Sequence, residues 1–93
     1  MDFEWDEGKS DACFAERGFD FAYAAQAFFD PIRLIRADVR HSYGEDRFQL
    51  TGRIGARAFV LVYTPRAQAI RIISARKANA REVKHYENGS FED

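Results

Sequence analysis

RFQLTGRIGARAFVLVYT, residues 47–64, is the stretch on which the fold turns. Its first part alternates, with Phe48 and Leu50 on one side and Arg47, Gln49, Thr51 and Arg53 on the other. A period of two is the mark of a strand with one buried face. Its second part, RAFVLVYT (57–64), is apolar on both sides, which suits a strand inside a sheet. Ile54-Gly55-Ala56 joins the two as a hairpin.

Beyond the hairpin, Pro65 and the residues after it turn the chain into AIRIIS (69–74), another strand. Asn79-Ala-Arg-Glu82 has the spacing of a capping box, which opens a helix to about Glu87. The tail NGSFED is expected to fray. Before the hairpin, residues 33–38 are a possible strand and HSYGED (41–46) has loop chemistry. Earlier still, DFEW (2–5) reads as a short strand. Asp6 caps a helix to about Arg17 that Gly18 stops. Asp20 caps FAYAAQAFF, apolar nearly all round and so expected to be buried, which ends before Asp30-Pro31. The order is β-α-α, then an antiparallel meander of three or four strands, then a short helix. That is an α+β arrangement, with helices on one sheet face and the other face at least partly open.

At 93 residues the chain is expected to form a single domain over 1–93. Its 46% hydrophobic content, with nine Phe, is enough for one core. No apolar run approaches the ~18–20 residues that span a bilayer. The acidic opening MDFEWDEGK is unlike a signal peptide, and Cys13 has no disulfide partner, so a cytoplasmic protein is expected. The net charge of −1 hides a split. Residues 1–30 hold eight acids and two bases, while residues 31–93 hold twelve bases and seven acids. Eleven of the fourteen bases are Arg, the planar group that reads phosphates and carboxylates through paired hydrogen bonds. Arg-rich codon usage explains the same excess, so position has to decide.

RIISAR (71–76) poses that choice most sharply, because Arg71 and Arg76 interrupt and close an apolar strand. An open sheet face carrying Arg47, Arg53 and Arg71 is a phosphate-binding surface in outline. Equally, Arg71 can pair with an acid of the N-terminal third, such as Asp6 or Glu7, as a structural tie. Arg76 stands at a strand exit, where loops carry function. Two His 44 residues apart and one Cys give no metal-ligand spacing, and no Gly-rich phosphate loop precedes a Lys-Ser/Thr pair. No cofactor is expected.

The ordered series Trp5-Asp6-x-x-Lys9, Arg17-Gly18-Phe19-x-Phe21, Phe29-Asp30-Pro31, His41-Ser42-x-Gly44-Glu45-x-Arg47-Phe48, Val62-Tyr63-Thr64, Arg71 to Arg76 with Ala78, Glu82 and Tyr86-Glu87 resembles the BrnT family of bacterial type II toxins. The resemblance implies a RelE-like fold and a ribonuclease that arrests growth by cutting RNA. It also implies a BrnA-like antitoxin that neutralises the toxin, with operator DNA met only through the toxin–antitoxin complex and no membrane involved. The family's first helix usually reads N-x-x-K-H-G. Here those positions are Cys13, Glu16 and Arg17 before Gly18, so the family's histidine is replaced by Arg17.

A metal-independent ribonuclease uses the substrate's 2′-hydroxyl as nucleophile and needs cations for the charge that builds on the phosphate. The resemblance therefore implies chemistry at Arg71, Arg76, Tyr86 and Lys9. Arg71 and Arg76 are expected on either side of one phosphate, Tyr86 with its ring packed and its hydroxyl wet, and Lys9 as a supporting cation or a surface residue. Arg47, Arg53 and His41 are expected to hold the RNA backbone. Glu82 reads as the reciprocal half of the capping box, and His85 faces a different side from Tyr86, toward solvent. Phe14, Phe28 and Phe29 are candidate anchors for the antitoxin. Two other readings compete: a binding module that keeps fold and partner without cleavage, and an α+β domain whose arginines only pair internally.

Overall fold

The computed structural model describes residues 1–39 and 44–92. In chain order it contains β1 (Phe3–Trp5), α1 (Glu7–Arg17), α2 (Phe21–Ala24) running on as a 3₁₀ turn (Ala25–Phe29), β2 (Leu34–Ala37), β3 (Phe48–Ile54), β4 (Arg57–Pro65), β5 (Ile70–Lys77) and α3 (Ala80–Asn88). The strands form one sheet in the order β1-β5-β4-β3-β2.

The hairpin forms where the alternation predicts it. Ile54 stands opposite Arg57, so the turn is Gly55-Ala56, with Gly55 at φ 60° where a side chain would be strained. β4 is central, and every residue from Ala58 to Thr64 is buried. The three helix starts also stand as read. Asp6 accepts from the Lys9 amide, Asp20 from the Tyr23 amide, and Asn79 and Glu82 close a capping box. Gly18 ends α1 in the left-handed region.

Two features depart from the expectation. The opening strand joins the meander as a fifth strand, pairing β5 in parallel through Phe3↔Ile70 and Trp5↔Ile72, so the sheet is mixed. α3 covers part of the face expected to be open. Strand alternation puts Ala58 and Val60 opposite Phe59 and Leu61. The first pair packs with Ala78 and Val83, while the second belongs to the main core with Ile72, Phe21 and Phe28. Thr51, on the polar side of β3, is consequently buried beneath α3. His85 is buried there too rather than solvated, because Phe91 folds back onto it with ring centroids 6.0 Å apart. Phe91 also lies 4.3 Å from the Arg36 guanidinium, so the tail is docked where fraying was expected.

The 3₁₀ turn lies hard against β3. A Cβ on Gly52 would stand 2.5 Å from the Ala27 carbonyl oxygen, a distance no folded chain tolerates. Gly52→Ala is therefore expected to destabilise the protein by about 1–3 kcal/mol through forced backbone shifts. A fall in Tm checks this, and an unchanged Tm would show that the turn can lift away freely.

Candidate functional site

β5 positions the two arginines of RIISAR. The β4–β5 register slips between Val62 and Tyr63, which face Ser74 and Ile72 and leave Ile73 as an extra residue. Arg71 and Arg76 are an odd number of residues apart, so a regular strand would put them on opposite faces. The bulge returns both to the face that carries Val60 and Thr64. They are still about 15 Å apart along the strand, at roughly 3.3 Å per residue. The expectation that they flank one phosphate is corrected on this point.

Each arginine has a carboxylate of its own. Arg71 stands beside Glu4 in the parallel register and donates to it at 2.9 Å. The partner is thus an acid of the N-terminal third, on β1 itself rather than at Asp6 or Glu7. Arg76 makes a bidentate pair with Glu82, with both N–H···O distances 2.7 Å. Glu82 also accepts the Asn79 amide at 2.8 Å. The Arg76 hydrogen bonds hold the Glu82 carboxyl below its ordinary range, against burial and with help from the Asn79 amide. One carboxylate therefore caps α3 and fixes the guanidinium at the end of β5.

Arg76 opens onto a hollow of about 220 Å³ on the α3 side of the sheet, lined also by Arg17, Gln49, Val60, Val62 and Ser74. Gln49 is held by Arg36, whose Nε donates to its side-chain oxygen at 2.9 Å. Arg17 ends α1 and reaches this hollow, so the position where the resemblance implies histidine stands on its wall. Cys13, one turn earlier, is buried with its Sγ donating to the Ala75 carbonyl at 3.6 Å, and burial pushes its thiol up. The hollow can take an anionic group: it has two cations, an amide and a hydroxyl on an apolar floor.

The remaining candidate residues lie elsewhere. Tyr86 is buried, and its hydroxyl donates to Asp30 Oδ2 instead of meeting water. Burial and Asp30 push the Tyr86 hydroxyl up to about 12. Asp30 also accepts the Arg53 amide at 2.7 Å and the Ile32 amide at 3.0 Å. Burial alone would raise the Asp30 pKa. The Tyr86 hydroxyl and the two amides, with the Arg53 charge, outweigh it and leave the carboxyl lowered. The Arg53 guanidinium lies 5.5 Å from the Tyr86 ring, and both line a second, wider hollow beside Phe29 and Ile32. Arg47 pairs with Glu45 at 3.1 Å, near Arg66. Lys9 lies in the exposed first turn of α1. Of the aromatic anchors, Phe14 and Phe29 are exposed, whereas Phe28 is buried against Phe3 and Tyr63. His41 lies outside the described residues.

Arg17 stands in the sequence reading as a replacement for the family's histidine, but the hollow's other walls, Gln49 and Ser74, carry no site role there. Their signal is strand alternation: Gln49 shares a face with Thr51, and Ser74 with Arg76. Among the described residues no group of three or more His, Cys, Asp or Glu could hold a metal ion. Among the described residues, no helix is long and apolar enough to cross a membrane.

A family model described as a ribonuclease toxin, BrnT, of type II toxin–antitoxin systems matches residues 5–82. No curated protein matches the chain.

Proposed function

The chain belongs to the BrnT family of ribonuclease toxins of type II toxin–antitoxin systems, and from that premise we propose that residues 1–93 act as one metal-independent RNA endonuclease centred on Arg76. The supporting observation is the fixed Arg76–Glu82 pair at the mouth of a hollow that Arg17 also lines. In this reading the scissile phosphate enters the hollow. The substrate's 2′-oxygen attacks phosphorus as its hydroxyl proton passes to solvent water, the bond to the 5′-oxygen breaks as that oxygen takes a proton from water, and the products are a 2′,3′-cyclic phosphate and a free 5′-hydroxyl. Arg76 and Arg17 stabilise the charge that grows on the phosphoryl oxygens. Glu82 acts through Arg76, as a positioning residue, since its oxygens are occupied by that guanidinium and the Asn79 amide. Ser74 and Gln49 offer hydrogen bonds to the phosphate or the ribose. Arg53 and Arg47, with His41, extend the contact along the backbone.

A type II toxin family implies an antitoxin. We assign that role to a BrnA-like partner that covers the arginine hollow and carries the complex to operator DNA. Neither step involves a membrane, and the complex is expected in the cytoplasm.

A second reading has its own observation. Arg17 replaces the family's histidine on the hollow's wall, so a chain that binds RNA and antitoxin without cutting is the competing outcome.

The test uses antitoxin-free protein, labelled RNA and a chelator, without ribosomes. Cleavage leaving cyclic-phosphate ends is expected. Arg71→Ala is expected to cut within about threefold of wild type, because its pair with Glu4 lies at the sheet edge and is partly exposed. Such a pair contributes about 0.2–1 kcal/mol to stability and nothing to the chemistry. Loss of cleavage by a folded Arg71→Ala protein would return Arg71 to the site. Silence from folded wild type would favour the binding module.

A further inference from the structure

Arg17 lines a second hollow as well, of about 430 Å³, on the opposite side of the sheet from Arg76. Its walls include Phe14, Asp20, Tyr23, Phe59 and Lys77. Phe14 is 60% exposed and Tyr23 44% exposed, which is unusual for large rings that have a core beside them. Tyr23 is held edge-on to Phe59, with centroids 5.9 Å apart, and Phe19 supports both rings. Lys77 follows Arg76 on β5 and faces Phe59 in the register, so consecutive residues send one cation to each hollow. β1 pairs β5 only from Ile70 to Ile72. Beyond Ile72 that edge of β5 is covered by α1, whose Cys13 Sγ donates to the Ala75 carbonyl, and the two hollows meet at Arg17, which lines both.

Resting on the ribonuclease reading above, we propose that this hollow beside Phe14 and Tyr23 is a nucleobase subsite. It stacks a base of single-stranded RNA next to the phosphate held at Arg76 and Arg17. Rings beside cations are the pattern by which proteins grip single strands, since every base has a face to stack and every linkage a charge. The carboxylate of Asp20 distinguishes a base from a phosphate. Asp20 lines the same hollow as the rings, with one oxygen taking the Tyr23 amide. A phosphate placed there meets a like charge, whereas a base edge with N–H groups meets an acceptor. The phosphates on either side of the base fall to Arg17 and Lys77.

The test measures binding of a fluorescent 2′-O-methyl oligonucleotide, which cannot be cut, by anisotropy. A 2-aminopurine at the stacked position reports its environment. Phe14→Ala is expected to weaken binding roughly 5- to 100-fold and to abolish the 2-aminopurine quench, while Phe14→Trp retains both. Ile35→Ala, at an exposed apolar residue of β2 that lines none of these hollows, serves as the control and is expected to bind as wild type. Lys77→Ala is expected to reduce the salt dependence of binding by about one ion. Phe14→Ala binding like wild type while wild type still cleaves RNA would overturn the subsite alone. Wild type that neither binds nor cuts RNA would overturn the ribonuclease reading with it. Loss of antitoxin affinity in Phe14→Ala, with RNA binding unchanged, would make the hollow a protein dock and overturn the proposal.

Discussion

Arg76→Ala is expected to lower RNA cleavage about 100- to 1,000-fold, the effect of deleting one preorganised donor aimed at a developing oxyanion. The size follows from how Arg76 is held. Both ends of its fork rest on Glu82 at 2.7 Å, and Glu82 is itself anchored by the cap of α3. A guanidinium fixed before substrate arrives needs no reorganisation in the transition state. Arg76→Lys keeps the charge but loses the two-point hold, so an intermediate rate is expected. Glu82→Gln leaves Arg76 in place with a weaker tie, and should also fall between. The loss of stability in Arg76→Ala is expected to be only ~1 kcal/mol, since the pair is partly exposed and the Asn79 cap remains. The pair has a pH signature. Because the folded Glu82 pKa is lowered, its contribution is present above the unfolded carboxylate pKa and is lost as pH falls through the folded value. Circular dichroism beside the cleavage assay separates the outcomes. A folded Arg76→Ala protein that cuts at the wild-type rate would reduce the arginine to a tie between β5 and α3.

What could be read from the residues was local. The hairpin, the caps at Asp6, Asp20 and Asn79, and the stop at Gly18 each depend on neighbours within a few positions, and each stands in the structure. The parallel β1–β5 pairing joins residues more than sixty apart, and nothing in Phe3–Trp5 alone selects β5 over another edge. The side taken by α3 was hidden for a similar reason. Thr51 and His85 are polar; Thr51 is buried by α3 itself, and His85 by Phe91 folding back onto it. At the candidate site, the arginines were visible but their geometry was not. Equal spacing rules cannot anticipate the bulge at Ile73, which changes the face of every residue after it. Nor can they anticipate that Glu82 holds Arg76 while also closing a capping box, because both roles use the same carboxylate. The family resemblance carried the toxin reading, and the matched model extends over residues 5–82.

Asp30→Ala is expected to be the most destabilising single change, by about 3–5 kcal/mol, a large share of the ~5–15 kcal/mol that holds a domain folded. Asp30 is only 9% exposed and accepts the Ile32 and Arg53 amides and the Tyr86 hydroxyl. It thereby ties the turn before β2 to β3 and to α3. Removing it leaves two amides and a phenol, all held by one buried carboxyl, without their acceptor. Tyr86→Phe removes one of the three donors and keeps the ring, so a loss of about 1–2 kcal/mol is expected. The pH dependence has a definite sign. The folded Asp30 pKa is lowered, so this stability is complete above the unfolded aspartate pKa of about 3.9 and declines as pH falls below it. Wild type should therefore lose more stability than Asp30→Ala between pH 6 and pH 3, as checked by urea unfolding at each pH. The same variants decide what Tyr86 does. A hydroxyl given to Asp30 and pushed up to about 12 is a poor proton donor to a leaving oxygen. Tyr86→Phe is accordingly expected to cleave RNA near the wild-type rate at temperatures where it is folded. If it keeps wild-type stability and loses cleavage, the hydroxyl belongs to the chemistry and Asp30 is its orienting partner.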